Sequence, residues 1–323
     1  MLRYVRFFLV LSILVWVTFM VACGSDDPTG PSETADLYVN GATGSDDNGD
    51  GSSGSPYKTI TYAMIKAESG DVVLVAAGTY GPDTGEISPF VIPEGVTLRG
   101  EDHDEVILVA DVDVFEGMIV ESGATVESFT MSNKDPVGRE DRAGIGISST
   151  DACLIRDIKV SKAFRHSAIR TRNLIESASA IIEECALVVD SGLYESRGME
   201  LVFATNVIVR NCLVSGWRTG IFTNTDSTPL IEHCSITDNT YGVEAYSDIG
   251  DDPPFNNIDL GGGARGSEGN NLIQGNSNYG FWNRNSEGPV YARFNTWDND
   301  PPIEGDVAPV DYYAANGGTW IWD

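Results

Sequence analysis

The stretch "GIFTNTDSTPLIEHCSITDNTYGVEAY", Gly220 to Tyr246, opens as Gly-Ile-Phe-Thr and, 22 residues on, opens again as Gly-Val-Glu-Ala. The same opening recurs in "AGIGIS" at Gly144, "SAIRTR" at Ala168, "RGMELV" at Gly198 and "YGFWNR" at Gly280. Successive steps are 24, 30, 22, 22 and 38 residues. A second phrase lies between them: "VESFTMSN", "IRDIKVSK", "IEECALVV", "VRNCLVSG", "IEHCSITD" and "ARFNTWDN". It sets Phe129, Ile158, Cys185, Cys212, Cys234 and Phe294 in one register.

Two strand phrases per repeat of 22 to 30 residues, divided by Gly, Asn and Asp turns, are the mark of a solenoid. No Leu-x-x-Leu-x-Leu pattern is present, so parallel β-helix coils are expected rather than leucine-rich repeats. Coils stack about 4.8 Å apart, and equivalent residues form ladders. Cys185, Cys212 and Cys234 then form an inward stack, and small apolar thiols suit a core. They are expected as buried free cysteines, with disulfides the competing reading in an exported chain.

The chain has 323 residues, 35 of them Gly, with few long amphipathic helical patterns. Its formal charge of −28 repels nucleic acid, which is excluded as a partner, and anionic lipid. Residues 1–22 read as a signal peptide: Arg3 and Arg6, an apolar run, then Met20-Val21-Ala22 before Cys23. That ending resembles a bacterial lipobox, which implies cleavage before Cys23 and lipidation of Cys23. Residues 23–36 form a polar tether, and residues 37–323 the β-helix domain. Without Arg3 and Arg6, 18 basic residues face 48 acidic ones, a charge of −30. Gly24 after the cysteine fits export to the outer membrane, so the expected place is the cell envelope, with the membrane reached through the lipid alone.

Within "SPYKTITYAMIKAESGDVVLVAAGTY" a helix is expected from Tyr57 to Ala67, with Ile60, Ala63, Met64 and Ala67 on one face. It serves as the N-terminal cap, because an open first coil exposes core and strand edge.

The segment "DLYVNGATGSDDNGDGSSGSPYKTITYAMIKAESGDVVLVAAGTY", followed by "VIPEGVTLRGE", resembles the domain-of-unknown-function family 1565 (DUF1565). The likeness is close over Leu37 to Gly100. It implies an all-β, right-handed parallel β-helix of the pectin-lyase-like kind. The same opening resembles some pectate lyases of polysaccharide lyase family 9, whose chemistry combines a lysine base with calcium held by several Asp. Lys159 and Lys162 have no Asp cluster beside them in the sequence, and His103, His166 and His233 do not form the polygalacturonase pattern. No catalytic residue is carried over.

Asp46, Asn48 and Asp50 in "SDDNGDGSSG" have the alternating oxygens of the first half of a calcium loop. Tyr57 stands where the closing Glu would be, so an acidic turn is the competing reading. Ca2+ is the one cofactor these residues suggest.

On the repeated strand the residue after Gly points inward, which sends two rows outward. The first is Gly146, Arg170, Glu200, Phe222, Glu244 and Trp282; the second is Ser148, Arg172, Val202, Asn224, Tyr246 and Arg284. Arg170, Arg172, Glu200, Phe222, Asn224, Glu244, Tyr246 and Trp282 are the expected binding residues for a polysaccharide, since aromatic faces stack on sugar rings and polar groups bond hydroxyls. Arg156, Lys159, Lys162, Arg165, Arg170 and Arg172 concentrate positive charge and favour an anionic glycan, unless neighbouring acids balance them. Glu200 and Glu244, two coils or about 10 Å apart, sit near the upper limit for an inverting acid–base pair, so they are the candidate catalytic residues. Three functions follow: a glycan-binding surface lipoprotein, a lyase or glycoside hydrolase on the same face, or a structural adhesive protein.

Overall fold

The computed structural model describes residues 34–298, apart from 112–113, 135–142, 149–150, 161–165, 172–177, 190–195, 225–226, 247–256 and 285–289, together with 312–314 and 320–321. The expected signal peptide, Cys23 and most of the tether lie outside the described residues. Among the described residues no helix is long and apolar enough to cross a membrane.

The chain winds as a right-handed parallel β-helix. One sheet runs, coil after coil, through Leu37–Val39, Val72–Val75, Thr97–Gly100, Thr125–Asn133, Cys153–Val160, Ala186–Val188, Leu213–Ser215, Ser235–Thr237, Leu272–Gln274 and Thr296–Trp297. A second runs from Phe90–Ile92 through Glu116–Glu121, Ala143–Ser148, Ser167–Thr171, Arg197–Val202, Thr219–Asn224, Tyr241–Tyr246 and Tyr279–Arg284 to Tyr312–Ala314. Every pairing between these named strands is parallel and in register with its neighbour one coil on, such as Ile221↔Val243 and Val243↔Phe281. The recurrent openings therefore do start equivalent strands.

Glycine opens these strands for a steric reason. A Cβ at Gly220 would lie 2.6 Å from Gly242 O, and one at Gly242 would lie 2.4 Å from Gly280 O. At these two positions the coils would have to shift to admit a Cβ, whereas Ala168 holds the equivalent place in an earlier coil.

A sharp corner recurs just before the second phrase turns inward. Ser128, Asp157, Glu184, Asn211, His233, Asn270 and Phe294 all have φ between 54° and 63°, a left-handed bend that turns the chain within one residue. The next residue points inward: Phe129, Ile158, Cys185, Cys212 and Cys234 are buried. Phe294 departs from expectation. It occupies the left-handed corner, is 58% exposed, and leaves Asn295 in the ladder. Counted along the phrase, Phe294 is third, in the place of Ser128 and Asp157, and Asn295 is the fourth residue that stands in register with Phe129.

The coil carrying Asn271 was not legible in the repeat. Asn271 follows Cys234 in the stack: Cys234 N donates to Asn271 Oδ1 (2.9 Å), and Asn271 Nδ2 donates to Asn295 Oδ1 (2.9 Å). Cys185, Cys212 and Cys234 are free thiols, each directed at backbone carbonyls, such as Cys212 Sγ to Arg210 O at 3.3 Å. Cys153 is also free and buried but lies outside this ladder, opposite Ala180.

The capping helix is Ile60–Lys66, shorter than expected at both ends. Asp46 Oδ1 accepts from Lys58 N (2.8 Å) and Thr59 N (3.1 Å), which holds that segment extended. Thr59 then caps the helix by accepting from Tyr62 N, and Ala67 leaves it with ψ 141°. Ile60, Ala63 and Met64 bury the inner face against the first coil.

Candidate functional site

The second sheet turns one broad face away from the core. Its register aligns Gly146, Arg170, Glu200, Phe222, Glu244 and Trp282 across six coils. A flanking row aligns Val202, Asn224, Tyr246 and Arg284. Arg172 lies outside the described residues. On the other flank Ser167, Arg197, Thr219, Tyr241 and Tyr279 are aligned.

The face is not the open row that alternation suggests. Side chains reach across the short coil spacing and cover one another. The Arg197 guanidinium carbon sits 3.6 Å from the Phe222 ring centroid, leaving Phe222 only 4% exposed. Glu244 is 1% exposed, and Thr219 Oγ1 donates to its Oε2 at 3.0 Å. Phe222 also stacks with Tyr246 at 6.1 Å between centroids. Arg170 is beside Glu200 in register but reaches back to pair with Glu116, while Glu200 pairs with Arg197 and lies 3.4 Å from His166 Nε2. Glu200 and Glu244 are thus held in different surroundings, and Glu244 is enclosed.

Two features of this face remain open to a ligand. The first is polar: the Arg170, Arg197 and Glu200 side chains keep 20%, 20% and 13% of their surface exposed, whereas Ser167 Oγ, Arg170 Nε and Arg197 Nε are enclosed beneath the face, without a hydrogen-bond partner and out of a ligand's reach. Such atoms are costly to leave unsatisfied in a folded protein. The second is aromatic. Tyr241, Tyr279 and Trp282 line a cleft of about 420 Å³ with Ser277 and Asn278. Tyr241 and Trp282 stack at 4.3 Å between centroids, and Arg218 approaches Tyr241 at 5.4 Å. Trp282 of this cleft is among the expected binding residues, and Tyr241, just before its strand glycine, belongs to the same expected face; Tyr279, in the equivalent place one coil on, is the residue the sequence reading missed.

The three described residues of the basic cluster are each paired with an acid. Arg156 pairs with Glu127, Lys159 Nζ with Asp104 Oδ1 (2.5 Å), and Arg170 with Glu116. Lys162 and Arg165 lie outside the described residues. Arg156 belongs to an alternating ladder on the first sheet: Arg99, Glu127, Arg156, Glu183, Arg210 and Glu232 are consecutive in register. Glu127 bonds both Arg99 and Arg156, and Arg210 meets Glu183 at 2.6 Å. Stacking at about 4.8 Å makes this alternation favourable, whereas like charges would repel.

Asp46 directs both carboxylate oxygens at Lys58 and Thr59, and Asp50 Oδ1 accepts from Ser52 N at 2.9 Å. Asn48 N donates to Ser45 Oγ. These bonds are those of a turn and a helix cap. The absence of an Asp cluster beside Lys159, read from the sequence, is corrected by the fold. Asp102, His103 and Asp104 bring their ligand-type atoms within 4.8 Å of one another, His103 Nδ1 meets Asp157 Oδ1 at 2.5 Å, and Lys159 holds Asp104. The contributing segments are some 55 residues apart in sequence. His233 sits on a left-handed corner and reaches Glu268 at 3.1 Å.

The family model described as "Protein of unknown function (DUF1565)" matches residues 42–304, over four-fifths of the chain. The chain belongs to the DUF1565 family. Among solved structures, this DUF1565 chain is similar to XylC in complex with xylose: TM-score 0.56, 11% identity, covering 80% of this chain. It spans 65% of the XylC chain's length. It is also similar to the pectin methylesterase PemA from Erwinia chrysanthemi (TM-score 0.45, 10% identity, 89% of this chain and 93% of that one). A third is the tailspike gp49, a capsular polysaccharide depolymerase from Acinetobacter baumannii bacteriophage Fri1 (TM-score 0.41, 12% identity, 74% and 52%). At 11% identity the likeness of the DUF1565 chain to XylC is one of fold. No curated protein matches its sequence.

Proposed function

We propose that this protein is a lipid-anchored cell-envelope β-helix that binds a polysaccharide along the face of its second sheet. The observation that carries this reading is the open aromatic cleft of Tyr241, Tyr279 and Trp282 on the same sheet face as the partly exposed Arg170, Arg197 and Glu200 side chains. From Glu200 to Trp282 is three coils, roughly 14 Å. A sugar chain crossing the coils engages the aromatic cleft by stacking and these polar side chains by hydroxyl hydrogen bonds. XylC, of the same fold, was solved with xylose, which agrees with a sugar ligand. Lipidation at Cys23 accounts for the N-terminal sequence and places the domain on the envelope, in the outer membrane.

Binding is favoured over catalysis because Glu244 is enclosed and bonded to Thr219, which removes half of the candidate acid–base pair. The pairing of Arg156, Lys159 and Arg170 with acids halves the charge argument for an anionic glycan, so neutral polymers are included in the ligand class. The test is calorimetric titration with neutral and uronate polysaccharides, with and without calcium. Saturable binding without bond cleavage supports the reading. Release of shortened or unsaturated products shows an enzyme, and no binding across the panel leaves the structural role.

A further inference from the structure

The capped end of the coil carries an apolar cleft that the glycan reading does not use. The helix Ile60–Lys66 contributes Ile60, Thr61, Met64 and Ile65; the segment leading into Phe90–Ile92 contributes Ile87, Ser88, Pro89, Phe90, Val91 and then Pro93. The cleft is about 420 Å³. Ile65 is 72% exposed and Ile87 67%, and Val91 is also exposed. Large apolar side chains grouped at one rim mark an interaction surface, where scattered ones would not.

The position of this cleft identifies its occupant. Leu37–Val39 and Phe90–Ile92 are the terminal strands of their two sheets, and the helix contacts both. The polypeptide therefore enters the fold at this end. Cys23 is 11 residues before Thr34, the first described residue, a span of at most about 40 Å when fully extended. A short tether holds the cleft at high effective concentration near whatever anchors Cys23. Even weak apolar affinity then suffices for contact. The acidic chain disfavours anionic headgroups and leaves apolar contact as the attraction.

We infer that the end-cap cleft of Ile65, Ile87 and Val91 rests against the lipid bilayer surface that holds the protein, with the coil axis leading the glycan face away from it. This rests on acylation of Cys23 in the reading above. The test uses the full mature protein carrying Ile87→Cys, labelled with a polarity-sensitive fluorophore and reconstituted in phosphatidylcholine vesicles. The native core thiols are buried, so the label goes to the introduced one. Leu272→Cys, on a strand of a late coil, is the control. The expected result is a blue-shifted emission at position 87 and a water-like emission at 272, with Ile65→Asp returning the position-87 signal to water-like. Mass spectrometry of Cys23 separates the two readings. An acylated Cys23 with a water-exposed probe at 87 overturns this inference alone. An unmodified Cys23 overturns the anchor and this inference together. A blue shift that follows protein concentration without vesicles assigns the cleft to a second copy of the chain and also overturns it.

Discussion

The Arg197 guanidinium carbon lies 3.6 Å from the Phe222 ring centroid while its nitrogen bonds Glu200 in its own strand. One cation thus covers an aromatic face and neutralises a carboxylate, so two residues that alternation sends outward serve the sheet. Phe222→Ala is expected to cost about 2–3 kcal/mol of stability with unchanged glycan affinity. Trp282→Ala should leave the urea midpoint nearly unchanged and weaken glycan binding at least about tenfold, equivalent to about 1.4 kcal/mol. Titration calorimetry beside urea unfolding checks both; the reverse pattern would place the stacking site at Phe222.

Gly220→Ala is expected to destabilise by about 2–3 kcal/mol. The added Cβ meets Gly242 O at 2.6 Å and Ile236 Cγ2 at 2.9 Å, both in the next coil. Gly54→Ala, with open space around it, is the control. Equal urea midpoints for the two variants would show that the coils separate freely.

Glu127 is 2% exposed and bonded by both Arg99 and Arg156. Glu127→Gln leaves two guanidinium groups facing one another across one coil. The expected loss is about 1–2 kcal/mol, limited because both arginines reach solvent. The double variant Glu127→Gln with Arg156→Gln should recover part of it, measured as a double-mutant cycle.

Glu86 accepts from Ile60 N, Thr61 N and Thr61 Oγ1, yet burial outweighs these bonds and holds its carboxyl above the usual glutamate range. The folded protein therefore retains this proton to higher pH than the unfolded chain. The contribution is full below the unfolded pKa, near 4.3 by the usual reference value, and is lost as pH rises through the raised folded value. Stability measured between about pH 4 and 7 should show this downward component in the wild type and lack it in Glu86→Gln. Parallel pH curves would contradict it.

Cys153, Cys185, Cys212 and Cys234 are buried and free. With the thiol of Cys23 acylated, native protein should give no reaction with an aromatic disulfide reagent, and unfolded protein should give four thiols. Burial also raises the Cys185 thiol pKa, which further suppresses the thiolate. Two thiols on unfolding would mean that neighbouring rungs had oxidised.

Repetition made the coil legible in the sequence. Gly220 and Gly242 recur because two backbones meet there, and Cys185, Cys212 and Cys234 recur because each fills the same inward slot. Local alternation and spacing carry that information, so strand identity, register and the capping helix could be read from the residues alone. Phe294 shows that register outranks hydrophobicity: third in its phrase, it falls on the corner with Ser128 and Asp157 and stays exposed, while Asn295 takes the ladder slot. The site depends on the third dimension. Arg197 covers Phe222 from the next coil, Thr219 encloses Glu244, and Lys159 meets Asp104 across 55 residues of sequence. Alternation specifies which way a side chain leaves the backbone. Which neighbour it then lies against is set by stacking coils about 4.8 Å apart, closer than a long side chain can reach.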